Sequence, residues 1–299
     1  MNTSMIKASI KKELWEFKGM LLWVPITIMC LIVLGPLLAM LLNDLNGDKF
    51  LTGMRQLAEM EQTSHLQSLF FSSTIALFTP FLAIGFIVQC YYLVNCLFDE
   101  KRDRSVMFWR SLPVSDGLTV AVKLFTGALV IPSIFMSAAT ALFLLGLIVN
   151  LIIATVLYFG YDISLFGMFA KAGLLSSLSY TWITLVPTAI WLLPLFSWLM
   201  LASIFANKAP FLWAVLPIVA LLIVEVIVVN FLQLSQPFFR HFISDYFSMT
   251  SNDFTGNESL MQPYESFKML LSQIDYRTFI VSAVLIYATY WFRINKSEI

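Results

Sequence analysis

Long stretches without a charged residue constrain this chain more than any other feature. The first covers residues 21–42 and holds 22 residues, whereas about 20 helical residues suffice to cross roughly 30 Å of hydrocarbon. Strands of a membrane barrel would be about ten residues long with strict alternation, which these stretches do not show. Because a backbone in lipid must satisfy its own hydrogen bonds, each stretch is expected to be a helix. The other stretches are residues 66–98, 124–161, 172–207, 209–239 with Glu225 as an interruption, and 278–292.

The stretches together predict an all-α integral membrane protein with six transmembrane helices, forming a single transmembrane domain over residues 1–299. Residues 124–161 and residues 172–207 each fit one tilted helix plus an interfacial segment, and each stretch is too short for two full spans and a turn. Local kinks or breaks are expected at four of the prolines inside the later stretches, Pro132, Pro187, Pro194 and Pro217.

The composition agrees with a protein that has lipid as its main solvent. It is 59% hydrophobic and 12% charged with a mean hydropathy of +0.83, whereas soluble proteins are about 45–50% apolar and about 25% charged. The net charge is zero, so the total charge gives no indication of a nucleic-acid partner. Cys30, Cys90 and Cys96 lie in apolar stretches without zinc-site or CxxC spacing, which favours packing roles. We expect no bound metal and no cofactor.

The distribution of basic residues predicts the orientation in the membrane. Twelve Lys and Arg residues fall on the side that carries both termini, and six fall on the other side. The positive-inside rule therefore predicts that both termini and the connection over residues 99–117 are cytoplasmic. Residues 235–275 then form an extracytoplasmic connection. The expected location is the cell membrane, as a multi-pass protein of the bacterial inner membrane.

The amino-terminal residues 1–20 have the pattern of an amphipathic helix. Ile6, Ile10, Leu14 and Phe17 fall on one helical face, and lysines fall on another. A helix that lies on the inner membrane surface would have this pattern, and so would a helical stub in the cytosol. Trp15, beside Leu14, favours the interfacial helix because tryptophan is enriched at membrane surfaces.

The connection over residues 99–117 combines charges, aromatic residues and a proline. Residues 99–104 carry charges of both signs, and residues 105–111 predict a short helix. This helix should end at Leu112, because the residue before a proline avoids the α region. Ser115 and Asp116 are suited to cap the helix that follows. A solvated loop with aromatic residues resting on the membrane is one interpretation. The other is a helix that inserts Phe108, Trp109 and Arg110 into a groove of a soluble protein, since aromatic residues and Arg are common interface anchors.

Two strings in this connection resemble a known family. Leu-Phe-Asp-Glu-Lys-Arg-Asp-Arg-Ser at residues 97–105 and Trp-Arg-Ser-Leu-Pro-Val-Ser at residues 109–115 are similar to the cytoplasmic loop of type-2 ABC exporter permeases. The amphipathic amino-terminal helix and the six expected spans fit the same architecture. The resemblance implies a homodimeric or heterodimeric permease in the lipid bilayer, with a cytosolic ABC ATPase subunit on each coupling helix and export between the two permeases. The expected contacts with that subunit are Asp99, Glu100, Arg102, Arg104, Ser105, Phe108, Trp109, Arg110, Leu112 and Pro113.

Motifs for nucleotide binding or catalysis are not found in the sequence. Without a GxxxxGK[ST] phosphate loop, ATP and Mg are expected to bind to a separate ATPase subunit. HExxH, GxSxG and GxGD motifs are also lacking, so the chain is not expected to be an enzyme and no catalytic residue is assigned. An alternative is a membrane anchor or assembly protein that recruits a cytosolic partner without transport. Ion-coupled transport would require more intramembrane charge than Glu225 supplies.

Glu225 is the one ionisable residue within the apolar stretch 209–239. A charge in the membrane is costly, and such residues usually face a bundle interior or a wet cavity. Three interpretations remain open. Glu225 can be protonated or paired for packing, can line a transport path, or can form a contact in a dimer.

Overall fold

The computed structural model describes residues 3–42, 47–58, 63–103, 115–231, 263–272 and 274–296, with the single residues 237, 239, 241 and 246. Within these ranges the chain is α-helical or π-helical between short turns, and no strand is present. The short helix expected over residues 105–111 lies outside the described residues. So does most of the connection over residues 235–275.

Five helices precede residues 104–114 in the described chain. They are α1 (Thr3–Glu16), α2 (Lys18–Leu42), α3 (Gly47–Ala58), α4 (Thr63–Asn95) and α5 (Phe98–Arg102).

The chain continues after residues 104–114 as α6 (Asp116–Phe125), a π-helical turn (Thr126–Val130) and α7 (Ile131–Tyr161). The cap expected at the start of α6 is confirmed for Ser115, whose Oγ accepts a hydrogen bond from the amide of Leu118 at 3.3 Å. The remaining helices are α8 (Phe166–Lys171), α9 (Leu174–Ile183), α10 (Leu185–Trp191), α11 (Leu193–Phe205), α12 (Pro210–Val226) with a π-helical turn (Ile227–Phe231), α13 (Pro263–Ser272) and α14 (Tyr276–Lys296).

Several helices are long and apolar enough to cross a membrane. Within the described residues these are Lys18–Leu38, Leu66–Arg102, Asp116–Tyr161 and Pro210–Asn230. A fifth is obtained if Phe166–Trp191 and Leu193–Phe205, which meet at 56°, are counted as one bent span. The fold is thus all-α and compatible with a multi-pass membrane protein, with four or five candidate spans where the sequence predicted six.

The stretch predicted as the sixth span lies in α14, a 21-residue helix that is not among these candidates. Its mean hydropathy is lowered by the charged residues near its ends, Arg277, Arg293 and Lys296. Its polar residues Thr278, Ser282 and Thr289 are each about 1% exposed. α14 packs along α11, so these hydroxyl groups are buried within the protein. Ser282 donates to the carbonyl of Thr278 and Thr289 to that of Leu285, which satisfies two of them locally.

The prolines affect the helices unequally. The bend of 56° falls at Leu192, just before Pro194 at the start of α11, and a second turn at Thr184 precedes Pro187 in α10. Pro132 lies in the first turn of α7, directly after the π-helical turn. Pro217 remains inside α12 without a break. A proline terminates or bends a helix only where the neighbouring chain accommodates the lost hydrogen bond.

The core lies where α4 packs against α7 and α11. Its largest buried aromatic side chains are Phe78, Phe81, Tyr92, Phe135 and Phe196. α2 lies at the edge of this core, and Cys30 on it is exposed, in contrast to the packing role expected for it. Cys96 is buried and Cys90 is half-buried, and all three cysteines are free thiols.

The π-helical turn between α6 and α7 lies very close to α4. A Cβ atom added at Gly127 would clash with the buried side chain of Leu93. An alanine at this position would therefore force the Leu93 side chain to shift. The turn brings α6 against α1 and against α14, and this arrangement positions the charged site described next.

Candidate functional site

A cluster of charged side chains, most of them buried, lies where α1, α5, α6 and α14 meet. We call it the ion cluster, and it contains three acidic and three basic residues. Its members are Lys12 and Glu13 on α1, Glu100 on α5, Asp116 and Lys123 on α6, and Arg293 on α14.

Lys123 lies at the centre of the ion cluster. Its side chain is 1% exposed, and its Nζ is 3.0 Å from Glu13 Oε1 and 3.2 Å from Glu100 Oε1. A buried ammonium ion without counter-charges would carry a desolvation penalty of several kcal/mol. The two carboxylates compensate for that penalty, so Lys123 and its acidic partners stabilise one another only as a set.

Arg293 connects α14 to the helices on both sides of residues 104–114. Its Nη1 donates to Glu100 Oε2 at 3.0 Å, and its Nε donates to Asp116 Oδ1 at 2.8 Å. Glu100 precedes the segment and Asp116 follows it. The planar guanidinium group has several donors in fixed directions, so it can hold two carboxylates at once. Arg293 therefore connects the residues on both sides of 104–114 to α14.

α1 is attached to the ion cluster through Lys12 and Glu13. Lys12 Nζ donates to Glu100 Oε1 at 3.2 Å, and Tyr92 donates its hydroxyl to Glu13 Oε2 at 2.9 Å. Phe17, just after α1, packs edge-on against the Tyr92 ring, with 5.0 Å between the ring centroids. The apolar face predicted for this helix thus packs at least partly on protein.

The opposite face of α1 is exposed at the surface of the protein. Trp15 is 66% exposed, and Lys11 Nζ and Lys18 Nζ lie 5.8 and 5.7 Å from its ring centroid. An exposed tryptophan beside two lysines suits the boundary between lipid and water. The interfacial placement of α1 remains a prediction.

α5 is held by the end of α11. The hydroxyl of Ser203 accepts hydrogen bonds from the amides of Leu97 and Phe98 at 3.1 and 3.0 Å. These amides belong to the start of α5, where backbone donors lack partners inside the helix. Lys101 Nζ also donates to Asn207 Oδ1 at 2.8 Å. The helix that leads into residues 104–114 is therefore fixed on two sides.

The residues expected to contact an ATPase subunit separate into three groups. Glu100 is 3% exposed and directs its carboxylate into the ion cluster. Asp99 and Arg102 form a local ion pair of 3.2 Å, and Arg102 is exposed. The others lie outside the described residues, and their role stays a prediction: Arg104, Ser105, Phe108, Trp109, Arg110, Leu112 and Pro113.

Sequence reasoning did not single out four members of the ion cluster. The sequence indicates for Lys12, Lys123 and Arg293 only positions near the membrane surface and the orientation of the chain, and it predicts no role for Glu13. Glu13 does stand out as an acid between Lys12 and Trp15 on a helix rich in lysines. That signal alone names no partner, because the Lys123 that it binds is 110 positions away.

Glu225 lies near the carboxyl-terminal end of α12, away from the ion cluster in sequence. It is half-buried, and its Oε1 accepts a hydrogen bond from the amide of Phe239. This contact agrees with a packing role for the carboxylate. A role in transport or in a dimer contact stays a prediction.

The ion cluster consists of ion pairs that connect helices. Its carboxylates are engaged by ammonium and guanidinium groups, and no group of three or more metal-binding side chains occurs in the part of the chain that the structure describes.

Partial burial and the negative charge of Glu13 raise the pKa of the neighbouring Glu16, while Lys123 and Lys12 act in the opposite direction.

The fold and the ion cluster define a helical protein, compatible with several membrane spans, in which one buried set of charges joins four helices. A scan against protein-family models and searches of curated proteins and of solved structures found no match.

Proposed function

We propose that this chain is the membrane-spanning permease subunit of an ATP-driven exporter of the type-2 ABC class. In this proposal a separate cytosolic ATPase subunit binds ATP and Mg, and it also binds residues 104–114 of this chain. Six helices span the inner membrane, with both termini in the cytoplasm. A second permease copy completes the transport path, as a homodimer or a heterodimer.

The observation that carries the proposal is the double contact of Arg293 with Glu100 and Asp116. These two acids flank the segment that resembles a coupling helix. A displacement imposed on the segment would therefore reach α14 through two direct charge-assisted hydrogen bonds. Lys12, Glu13 and Lys123 would pass the same displacement to α1 and α6.

The energetics of the ion cluster support a rigid connection. Removing one partner of a buried ion pair typically destabilises a protein by about 3–5 kcal/mol, because an uncompensated charge remains. The helices of the cluster should therefore move together and not separate. Rigid elements of this kind convert a local movement into a rearrangement of packed helices.

The alternative function is a membrane anchor that holds a cytosolic partner without transport. The same cluster would then serve only as a stable base for residues 104–114. The two functions differ in whether partner activity depends on the membrane chain. An ATPase that couples to transport changes its hydrolysis rate when its permease is altered, whereas a recruited partner does not.

The test is purification of the tagged chain from its native membrane, followed by mass spectrometry and an ATPase assay in nanodiscs. We expect a cassette ATPase in stoichiometric amount, with Mg-dependent hydrolysis that changes by several fold between the complex and the isolated ATPase. Purification of the intact, folded chain with no ATPase would contradict the proposal. An associated ATPase with the same rate alone and in the complex would favour the anchor.

A further inference from the structure

A cavity of about 180 Å³ lies between α4, the π-helical turn after α6, α7, and the broken stretch α9–α11. Its walls are formed by residues of these helices. Large apolar side chains form most of the surface. The main ones are Phe81, Phe86, Phe135, Met136, Leu192 and Phe196.

Gln89 places an amide in this apolar surface. It lines the cavity, is 5% exposed, and donates from Nε2 to the carbonyl of Ala128 at 3.4 Å, which is a long hydrogen bond. A primary amide has two N–H donors and a carbonyl acceptor. Within the described residues, the carbonyl oxygen and the second N–H of Gln89 make no hydrogen bond. Water or another molecule in the cavity can therefore complete the hydrogen bonds of this amide.

Three threonines add polar atoms to the same cavity. Thr181, Thr184 and Thr188 line it along α9 and α10. Each hydroxyl donates to a carbonyl three or four residues earlier, at 2.7–2.9 Å. A hydroxyl group has one donor and two acceptor positions, so these oxygens retain acceptor capacity. The cavity therefore offers hydrogen-bond acceptors from threonine and an amide from Gln89.

No charged side chain is among the described residues that line the cavity. A charged ligand would lose its hydration there without a counter-charge, which is unfavourable. A neutral ligand with one hydroxyl group would bind without that penalty. Its hydroxyl can donate to an acceptor oxygen and accept from the free N–H of Gln89.

Irregular backbone surrounds the cavity on two sides. The π-helical turn alters the bonding of Thr126–Val130, and the carbonyl of Ala128 in that turn is the acceptor for Gln89. On the other side, the breaks at Thr184 and Leu192 interrupt the helices that carry the threonines. π-helical turns of this kind occur frequently at functional sites.

The volume of the cavity suits a small ligand. An apolar cavity of about 150 Å³ accommodates one benzene molecule, and this cavity is slightly larger. We propose that it binds one uncharged molecule with a single aromatic ring and a hydroxyl group, which is the chemical class of simple phenols. The ring packs among the phenylalanines and Met136, and the hydroxyl meets Gln89. This site is independent of whether the chain is a permease.

The experiment uses 4-fluorophenol as the probe and the full-length chain in nanodiscs, with fluorine NMR as the readout. Empty nanodiscs measure partition into lipid. We expect saturable binding to the parent chain above that background. Fluorobenzene, which lacks the hydroxyl, should bind about fivefold to tenfold more weakly, as expected for loss of one net hydrogen bond.

Two substitutions test the position of the ligand. Ala189→Leu places a larger side chain in the cavity wall and should reduce binding at least tenfold. Ala220→Leu makes the same change on the exposed surface of α12 and should leave binding unchanged. Equal binding by the parent and by Ala189→Leu would overturn the proposal, as would partition that never saturates.

Gln89→Met tests the hydroxyl recognition, because it keeps the length of the side chain and removes its amide. It should remove the preference for 4-fluorophenol over fluorobenzene and keep binding of the ring. If this variant does not fold, Thr188→Val supplies the same comparison at a second polar position. An undiminished preference in the folded variant, or no preference in the parent, would contradict the assignment of a phenol-like ligand.

Discussion

Arg293 donates a hydrogen bond of 3.0 Å to Glu100 across 193 positions of the chain. The same guanidinium group donates at 2.8 Å to Asp116, so the last described helix binds both flanks of residues 104–114. Any protein that moves this segment would act on the carboxyl-terminal helix through these contacts. Arg293 thus links the charged connection over residues 99–117 to the packed helices.

Lys123→Met should destabilise the protein strongly. The substitution leaves Glu13 and Glu100 without their central counter-charge, and removal of one member of a buried ion pair typically costs about 3–5 kcal/mol. Thermal unfolding in detergent measures this effect. Lys101→Met is the matched control, because Lys101 bonds Asn207 in an exposed position and should lose less than about 1 kcal/mol. Equal loss in both variants would mean that Lys123 is not the centre of the cluster.

Arg293→Gln should uncouple ATP hydrolysis from movement of the membrane helices. Glutamine can hydrogen-bond one carboxylate but carries no positive charge to hold both. We expect the ATPase subunit to remain bound while the effect of the permease on its hydrolysis rate falls by about tenfold or more, since loss of charge-assisted bonds of about 1.5–3 kcal/mol each is involved.

Arg277→Gln provides the control for this prediction on the same helix. Arg277 is exposed and pairs with Asp275 at 3.4 Å, so its loss should leave coupling unchanged. Wild-type coupling in a stable Arg293→Gln protein would exclude the cluster as the route of transmission.

Phe108→Ala combined with Trp109→Ala should abolish association with the ATPase subunit or uncouple it. Truncation of a buried aromatic anchor typically costs about 2 kcal/mol or more, which is roughly a 30-fold loss of affinity. Lys101→Ala should have a small effect, and membrane insertion should be retained. The measurement is recovery of the ATPase with the tagged chain. Full recovery and full coupling in the double variant would indicate that these aromatic residues rest on lipid.

Glu225→Gln should keep the chain folded, because an amide oxygen can still accept the hydrogen bond from Phe239. If Glu225 also lines a transport path, the loss of its ionisable group should change the hydrolysis rate of the assembled complex. Glu225→Leu removes the acceptor as well and should lower the melting temperature. Unchanged hydrolysis in both variants would leave packing as the role of this carboxylate.

Cysteine labelling in intact cells tests the predicted orientation. The native Cys30, Cys90 and Cys96 are first replaced, since Cys30 is exposed in the structure. Single cysteines at Asn46 and Asn257 should react with an impermeant reagent, and one at Ser105 should not. Labelling of position 105 from outside would show that the orientation is opposite to the predicted one. It would therefore contradict a cytoplasmic coupling segment.

The sequence by itself determined the helical character of this protein. Charge-free stretches longer than about 20 residues are local features, and in lipid they have few alternatives to a helix. The cap at Ser115 was also predictable, because it depends on residues three positions apart. The count of spans was less secure, because α14 carries Arg277, Arg293 and Lys296 near its ends and is not among the helices apolar enough to be candidate spans.

Only the tertiary structure decided which charges are functional candidates. Lys12 and Glu100 are 88 positions apart, and Lys123 and Glu13 are 110 apart, so no local pattern pairs them. In the sequence these residues resemble solvated charges beside membrane spans. Helix packing buries them, and burial then requires each charge to have a partner, because an unpaired charge in a low-dielectric interior is too costly to persist.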